Sequence, residues 1–287
     1  MRTPFGSVAD LCRMVKIEHS IFALPYAWAG MLLATRSLPP VWPFVFLTLA
    51  MVAVRSYAMA FNRLADLSLD SRNPRTRDRP LVTGAITVAS ARWFCIAMAA
   101  IFIAACACLN DLCLYLSVPA LVFASVYSYV KRISSVCHFW LGATLGLAPL
   151  AGWISVTPTS MTVTPLLLSL VVTFWVGAFD IFYAFLDIDF DRKEGVHSLP
   201  ADRGEEAALS VAAFAHAVTV LLLALTGFSA GLSWPWYAMC GIVTALLVLE
   251  HFAMRRRDPR HVNMAFFTLN GFVSPLVLVG VALGLWW

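Results

Sequence analysis

Apolar runs of about the 20 residues needed to cross a bilayer as a helix recur along nearly the whole chain. Bounded by polar or Pro/Gly breaks, they predict about nine spans, near residues 18–35, 41–62, 92–109, 112–131, 136–156, 163–187, 207–228, 232–253 and 264–287. Strand-like alternation is absent from these runs, and in lipid only helices or closed barrels satisfy the backbone. The expectation is an all-α integral membrane protein, one domain over residues 1–287.

The basic residues sharpen that picture because they fall in alternate loops. Arg2, Arg13 and Lys16 precede the first span, and Arg63, Arg72, Arg75, Arg77, Arg79 and Arg92 crowd the connection between the second and third. Lys131 and Arg132 follow the fourth, Arg192, Lys193 and Arg203 the sixth, and Arg255, Arg256, Arg257 and Arg260 the eighth; the intervening loops hold Arg36 alone. Since Lys and Arg mark cytoplasmic loops, the N-terminus and the long connections near 63–91 and 189–206 are expected in the cytoplasm, with an odd number of spans and Trp287 outside. The membrane implied is the inner, cytoplasmic one.

Composition excludes the soluble classes. Hydrophobic residues make up 61% of the 287 and charged ones 13%, too few polar groups to coat a single globule. Mean hydropathy is +0.81, spread over the whole length rather than held in one anchor. The first 20 residues are too polar for the core of a cleaved secretory signal. The seven cysteines form no CxxC pair and read as small apolar fillers. The six histidines show no ligand spacing and are expected at interfaces or in solvent, with His197 a weaker candidate for phosphate contact. Trp286 and Trp287 suit an interfacial anchor. Neither a nucleic acid nor an obligate protein partner is expected.

The acids concentrate at the ends of the second and sixth spans. In NRLADLSLD, Asn62, Asp66 and Asp70 recur every four residues, which puts their oxygens on one helical face. In DIFYAFLDIDFD, Asp187 and Asp191 repeat that spacing, with Asp180 and Tyr183 earlier on a similar face. A lone DxxxD at a helix end is usually a solvated charge. Two such clusters separated by an even number of spans reach the same side of the membrane, and each is followed by a basic loop. Hard oxygen ligands beside Arg and Lys suit Mg²⁺ bound to phosphate. Arg55 lies two turns before Asn62 on the same face of an apolar helix, where an unpaired charge costs several kcal/mol. Two readings of it stand: an ion pair with Asp180 or another buried acid, and a binding group for a small organic anion.

At these residues the chain resembles the UbiA superfamily of intramembrane aromatic prenyltransferases. One signature of that family, NxxxDxxxD followed by TxxRPL and Gly, stands as Asn62, Asp66, Asp70, Thr76, Arg79, Pro80, Leu81 and Gly84. The other, DxxYAxxDxxxD followed by KxGxxS, stands as Asp180, Tyr183, Ala184, Asp187 and Asp191, then a shifted Lys193 with Gly195 and Ser198. A basic pair is similar to Lys131 and Arg132. The resemblance implies helices around a central cavity that opens laterally to lipid, with the two cytoplasmic loops over the active site. It also implies two Mg²⁺ ions on Asn62, Asp66, Asp70, Asp187 and Asp191, with the aspartates and Tyr183 serving catalysis. Arg75, Arg79, Lys131, Arg132, Lys193 and Ser198 would bind the diphosphate of a polyprenyl donor, while Arg55 and Asp180 would bind the aromatic acceptor. Tyr183 and Tyr127 are the candidates for shielding an allylic cation.

The wording of EHSIFALPYAWAG and DIDFDRKEGVHSLP resembles the 4-hydroxybenzoate polyprenyltransferase-like branch, implying polyprenyl transfer to an aromatic hydroxy acid in ubiquinone or menaquinone biosynthesis. The same branch includes enzymes directed at 1,4-dihydroxy-6-naphthoate in the futalosine menaquinone route, and the sequence leaves the two acceptors open. From another class, an ion-coupled transporter also uses intramembrane charge, but at midplane sites in broken helices. The DG-rich, AR-containing motif of CDP-alcohol phosphotransferases is missing. A non-catalytic scaffold would not need both acidic clusters.

Overall fold

In the computed structural model, residues 8–16, 22–254 and 269–287 are described, and every regular element among them is helical. They are α1 Val8–Val15, α2 Leu24–Thr35, α3 Val41–Ala65, α4 Leu67–Arg72, α5 Val88–Ala107, α6 Asp111–Val130, α7 Cys137–Ile154, α8 Val163–Ala184, α9 Ile188–Glu194, α10 Leu199–Arg203, α11 Glu205–Ala230, α12 Trp234–Met254 and α13 Asn270–Trp286. Among the described residues, seven helical runs are long and apolar enough to cross a bilayer, α8 continuing through a 3-10 turn and α9. The first and last predicted spans are occupied by shorter apolar helices, the 12-residue α2 and the 17-residue α13. Their predicted starts lie outside the described residues, as do Arg2, Arg255, Arg256, Arg257, Arg260, His19 and His261. The chain is an integral membrane protein.

Two compact units divide the chain, residues 1–20 with 45–129 and residues 21–44 with 130–287. In the first, α1 packs Met14 and Val15 against Ala60 of α3, Ala91 and Cys95 of α5, and Leu81 and Ile86 of the connection between α4 and α5. Those last two residues are nearly inaccessible, so this connection is a packed cap rather than a solvated tether. Thr87 closes it by accepting the Ser90 N–H at the start of α5. Arg63 departs from expectation. Predicted among the loop cations, it is only 6% exposed near the end of α3, where its Nε donates to the Met14 carbonyl at 3.4 Å and its Nη1 to Asn62 Oδ1 at 3.3 Å.

In the second unit, α8 is the central helix, packed on α7 and α11, while α2 packs on α7. The close approaches are made by small residues: a Cβ on Gly142 would overlap the Thr173 carbonyl of α8, and one on Gly152 the Ala27 carbonyl of α2. With lipid as apolar as the side chains, such backbone proximity is a principal source of helix association. Near the acid-bearing end of α8, Ala178, Ile181 and Phe182 pack against Ala208, Ala212 and Ala215 of α11.

Candidate active site

Asp66 sits at a break. The residue leaves the helical region at φ −99°, ψ 7°, separating α3 from α4. The hydrogen-bond ladder nonetheless crosses the break, the Asp66 N–H reaching the Asn62 carbonyl at 2.9 Å and the Asp70 N–H the Asp66 carbonyl at 2.8 Å. Asn62, Asp66 and Asp70 therefore keep their four-residue register. Asn62 Nδ2 donates to Asp66 Oδ2 at 2.8 Å and to Ser128 Oγ of α6 at 3.3 Å. Its own Oδ1 accepts from Arg63 Nη1, so the Asn62 amide links Arg63 to Asp66. Arg79 Nη1 reaches Asp70 Oδ2 at 2.6 Å, and Thr76 Oγ1 donates to the Asp70 carbonyl at 3.0 Å. Both carboxylates are buried, Asp66 at 1% and Asp70 at 8% exposure, which is tolerable because charged and amide donors meet them.

The second cluster is built on a similar break. Between α8 and α9 the chain tightens into a 3-10 turn over Phe185–Asp187, and Asp187 adopts φ −121°, ψ 8°. A 3-10 turn advances about 20° more per residue than an α-helix, so this turn shifts the register between the Asp180–Tyr183 end of α8 and Asp191 of α9. Asp180 is held by His138 of α7, with Nδ1 to Oδ2 at 2.7 Å. Asp191 is buried and accepts from the Ser198 hydroxyl at 2.6 Å. Gly195, at φ +68°, ends α9 in the left-handed region and turns the chain back toward Ser198. The Lys131 carbonyl accepts the His197 N–H at 2.7 Å, bringing the basic pair after α6 beside this segment.

Thus Asn62, Asp66, Asp70 and Arg79 form one constellation, and Asp180, Asp191 and Ser198 belong to another, with Lys131 beside it. Tyr183, Asp187 and Lys131 are half-buried, whereas Arg75, Arg132 and Lys193 are exposed. Arg55 is half-buried on α3. Sequence reasoning missed Arg63, Ser128 and His138. Arg63 adjoins the first motif, but counting it as a loop charge concealed it. The expectation of interfacial or solvated histidines fails for His138 and His216, which are 3% and 4% exposed, because both have polar partners inside the protein.

The donor chemistry suits a hard divalent cation. Among the described residues no three His, Cys, Asp or Glu side chains gather into a cage. One oxygen on each of Asp66, Asp70 and Asp191 is already held by a protein donor. Such a set matches Mg²⁺, which keeps waters and binds through one or two carboxylates plus substrate phosphate, better than a cation that needs an all-protein shell.

A polytopic helical membrane protein with acidic residues at two helix breaks, each followed by basic residues, fits the class of membrane-embedded prenyltransferases. The chain belongs to the UbiA prenyltransferase family, whose family model matches residues 23–274. It is 32% identical over 280 residues to "4-hydroxybenzoate octaprenyltransferase" from Xanthomonas campestris pv. campestris (strain B100), covering 98% of this chain and 92% of the relative. The same name is borne by a relative from Methylobacillus flagellatus, 31% identical over 277 residues, covering 94% and 91%. Among solved structures, the apo form of a UbiA homolog from Aeropyrum pernix K1 superposes with a TM-score of 0.84 at 32% identity, covering 93% of this chain and 98% of that one. A UbiA homolog from Archaeoglobus fulgidus bound to GPP and Mg²⁺ shares the fold, with a TM-score of 0.73 at 22% identity over 95% and 99% of the two chains. The protein is a prenyltransferase.

Proposed function

We propose that this protein transfers a polyprenyl group from polyprenyl diphosphate to the ring of an aromatic hydroxy acid of the 4-hydroxybenzoate type, in quinone biosynthesis, and that both acidic clusters are needed for it. The observation that carries the reading is the recurrence of one device: a spanning helix that breaks at an aspartate near ψ 8°, a second aspartate four residues later, and a donor from the following loop on that second carboxylate. The names of the curated relatives support the acceptor class, and the Mg²⁺ and GPP bound by the A. fulgidus homolog support the donor and metal. Family membership and the placement of the acids at helix ends favour transfer over ion-coupled transport.

In this reading Asn62, Asp66, Asp70, Asp187 and Asp191 would hold two Mg²⁺ ions, the Asn62 amide also aligning Asp66. When bound, the ions neutralise charge on the departing diphosphate. Arg79 and Ser198, which already meet Asp70 and Asp191, bind diphosphate oxygens together with Lys131, and Arg75, Arg132 and Lys193 close from the exposed side. The allylic C–O bond breaks as diphosphate leaves. Tyr183 presents an aromatic face to the resulting cation, and Arg55 and Asp180 orient the acceptor, whose ring carbon ortho to the hydroxyl forms the new C–C bond. Loss of the ring proton restores aromaticity. The site opens to the cytoplasm under the loops near 63–91 and 189–206, in the inner membrane, with the N-terminus inside and the C-terminus outside, and the chain works as one domain.

The test is purified protein in lipid given Mg²⁺, a radiolabelled allylic diphosphate and, in separate reactions, 4-hydroxybenzoate and 1,4-dihydroxy-6-naphthoate. Mg²⁺-dependent prenylation of 4-hydroxybenzoate is the expected result. Exclusive use of the naphthoate would move the assignment to that acceptor, and no transfer to either would contradict the reading.

A further inference from the structure

Ser198 stands at the N-cap of α10, a position where a hydroxyl ordinarily accepts a backbone N–H of the first turn. Here it makes no such bond, because its proton is directed to Asp191 Oδ2 at 2.6 Å. The Leu199 N–H, one of the donors left over at that helix start, goes elsewhere, to Nε2 of His138 at 3.1 Å. A backbone N–H can only donate, so Nε2 carries the lone pair and the neutral ring bears its proton on Nδ1. That proton faces Asp180 Oδ2 at 2.7 Å. His138 is 3% exposed at the start of α7, and its neighbour Cys137 donates through Sγ to the His197 carbonyl at 3.4 Å, while the His197 N–H is taken by the Lys131 carbonyl. Residues 197–199 are thereby stitched to α7 and the segment before it on one side and to Asp191 on the other.

We propose that His138 is a positioning residue whose two ring nitrogens lock the Ser198–Leu199 segment to Asp180, so that one side chain sets the spacing between the Asp191 and Asp180 ends of the second acidic cluster. The imidazole is suited to this because it is rigid and offers an acceptor on one edge and a donor on the other. Neither amide reproduces both edges. An asparagine places its NH₂ near the Nδ1 position and keeps the bond to Asp180, while a glutamine carries its carbonyl out to the Nε2 position and keeps the bond from Leu199. The kinetic part of this inference rests on the proposed prenyl transfer, with Asp191 and Ser198 serving the diphosphate and Asp180 the acceptor; the structural part does not.

Amide hydrogen exchange over residues 196–204 and steady-state kinetics with each substrate, measured on full-length His138→Asn, His138→Gln and His138→Ala in lipid, test both parts. Exchange at the Leu199 amide should quicken by about tenfold in the Asn and Ala variants and stay near wild type in Gln, the size expected for one lost hydrogen bond. In the Asn variant the donor KM should rise by about tenfold with the acceptor KM little changed, and in the Gln variant the reverse. A purely architectural role would shift Tm and kcat of all three together without that split. Unchanged Leu199 exchange in both Asn and Ala overturns the lock, and does so even if the protein transfers no prenyl group. Equal movement of both KM values in Asn and Gln overturns the division of its two edges.

Discussion

The two acidic clusters share a backbone plan and differ in how their charge is met. On α3–α4 the carboxylates are held by cations and an amide: Arg79 on Asp70, Arg63 on Asn62, and Asn62 on Asp66. On α8–α10 the partners are a serine hydroxyl on Asp191 and an Nδ1–H imidazole on Asp180. Within its own constellation the first cluster thus has a guanidinium directly on a carboxylate, while the second meets Asp191 with a hydroxyl and Asp180 with an imidazole N–H. Both bonds end on a carboxylate and are charge-assisted, but only Arg79 also brings a countercharge to its partner, so the same DxxxD spacing is closed by an ion pair in one place and by a hydroxyl in the other.

The largest expected effect treats the clusters as equals. Asp66→Ala and Asp187→Ala should each lower turnover by at least about 100-fold, the scale seen when a group stabilising transition-state charge is removed. Both variants should still fold in detergent. Substantial Mg²⁺-dependent turnover in either would contradict the need for both clusters.

Next comes Arg55, which belongs to the helix of the first cluster but is proposed to bind the acceptor. Seven residues separate it from Asn62, about 10 Å of helix, too far to share the same metal-bound oxygens. Arg55→Ala should lower kcat/KM for the acceptor by tens- to thousands-fold, roughly 2–5 kcal/mol, with donor affinity little changed. Arg55→Lys should recover part of this, since the planar fork is lost. Equal losses for donor and acceptor would reassign Arg55 to phosphate or to an ion pair.

The difference in charge compensation is probed by Arg79→Ala against Ser198→Ala. The first removes a charged partner from a buried carboxylate and should raise the donor KM by about 100-fold, whereas the hydroxyl deletion should cost about tenfold. Reversal of that order would show that the second cluster is the more tightly clamped.

The smallest effect concerns the glycines that follow the clusters. Gly84 and Gly195 both have φ near +70° with open space around the position of a Cβ, so alanine should cost each about 1–2 kcal/mol of stability from backbone strain alone. Gly195 ends the helix that carries Asp191, and its substitution should also lower activity; Gly84 lies within the packed cap, between Leu81 and Ile86, and its substitution should cost stability without that added loss. Thermal unfolding together with initial rates separates the two.

Much of this was legible in the sequence because lipid imposes one rule, apolar length, and because a four-residue acid spacing survives a helix break when the hydrogen-bond ladder continues through it. The short helices α2 and α13 were harder to bound, since hydropathy reports a run of apolar residues and not how many of them are wound. Arg63 was misjudged because a motif-adjacent cation reads the same in a loop and inside a helix; only Met14, some 50 residues away in sequence, reveals it as buried. His138 lies in an apolar run, and its meaning depends on Asp180 and Leu199, distant in sequence and joined to it only by tertiary packing.

The proposal that binding of the diphosphate needs both clusters is tested most directly by equilibrium binding of a non-cleavable allylic diphosphate analogue to wild type, Asp66→Ala and Asp187→Ala, each titrated with Mg²⁺. The account predicts saturable, Mg²⁺-dependent binding by the wild type that EDTA abolishes, and loss of that binding in both single variants. Wild-type affinity and Mg²⁺ dependence in either variant would contradict it.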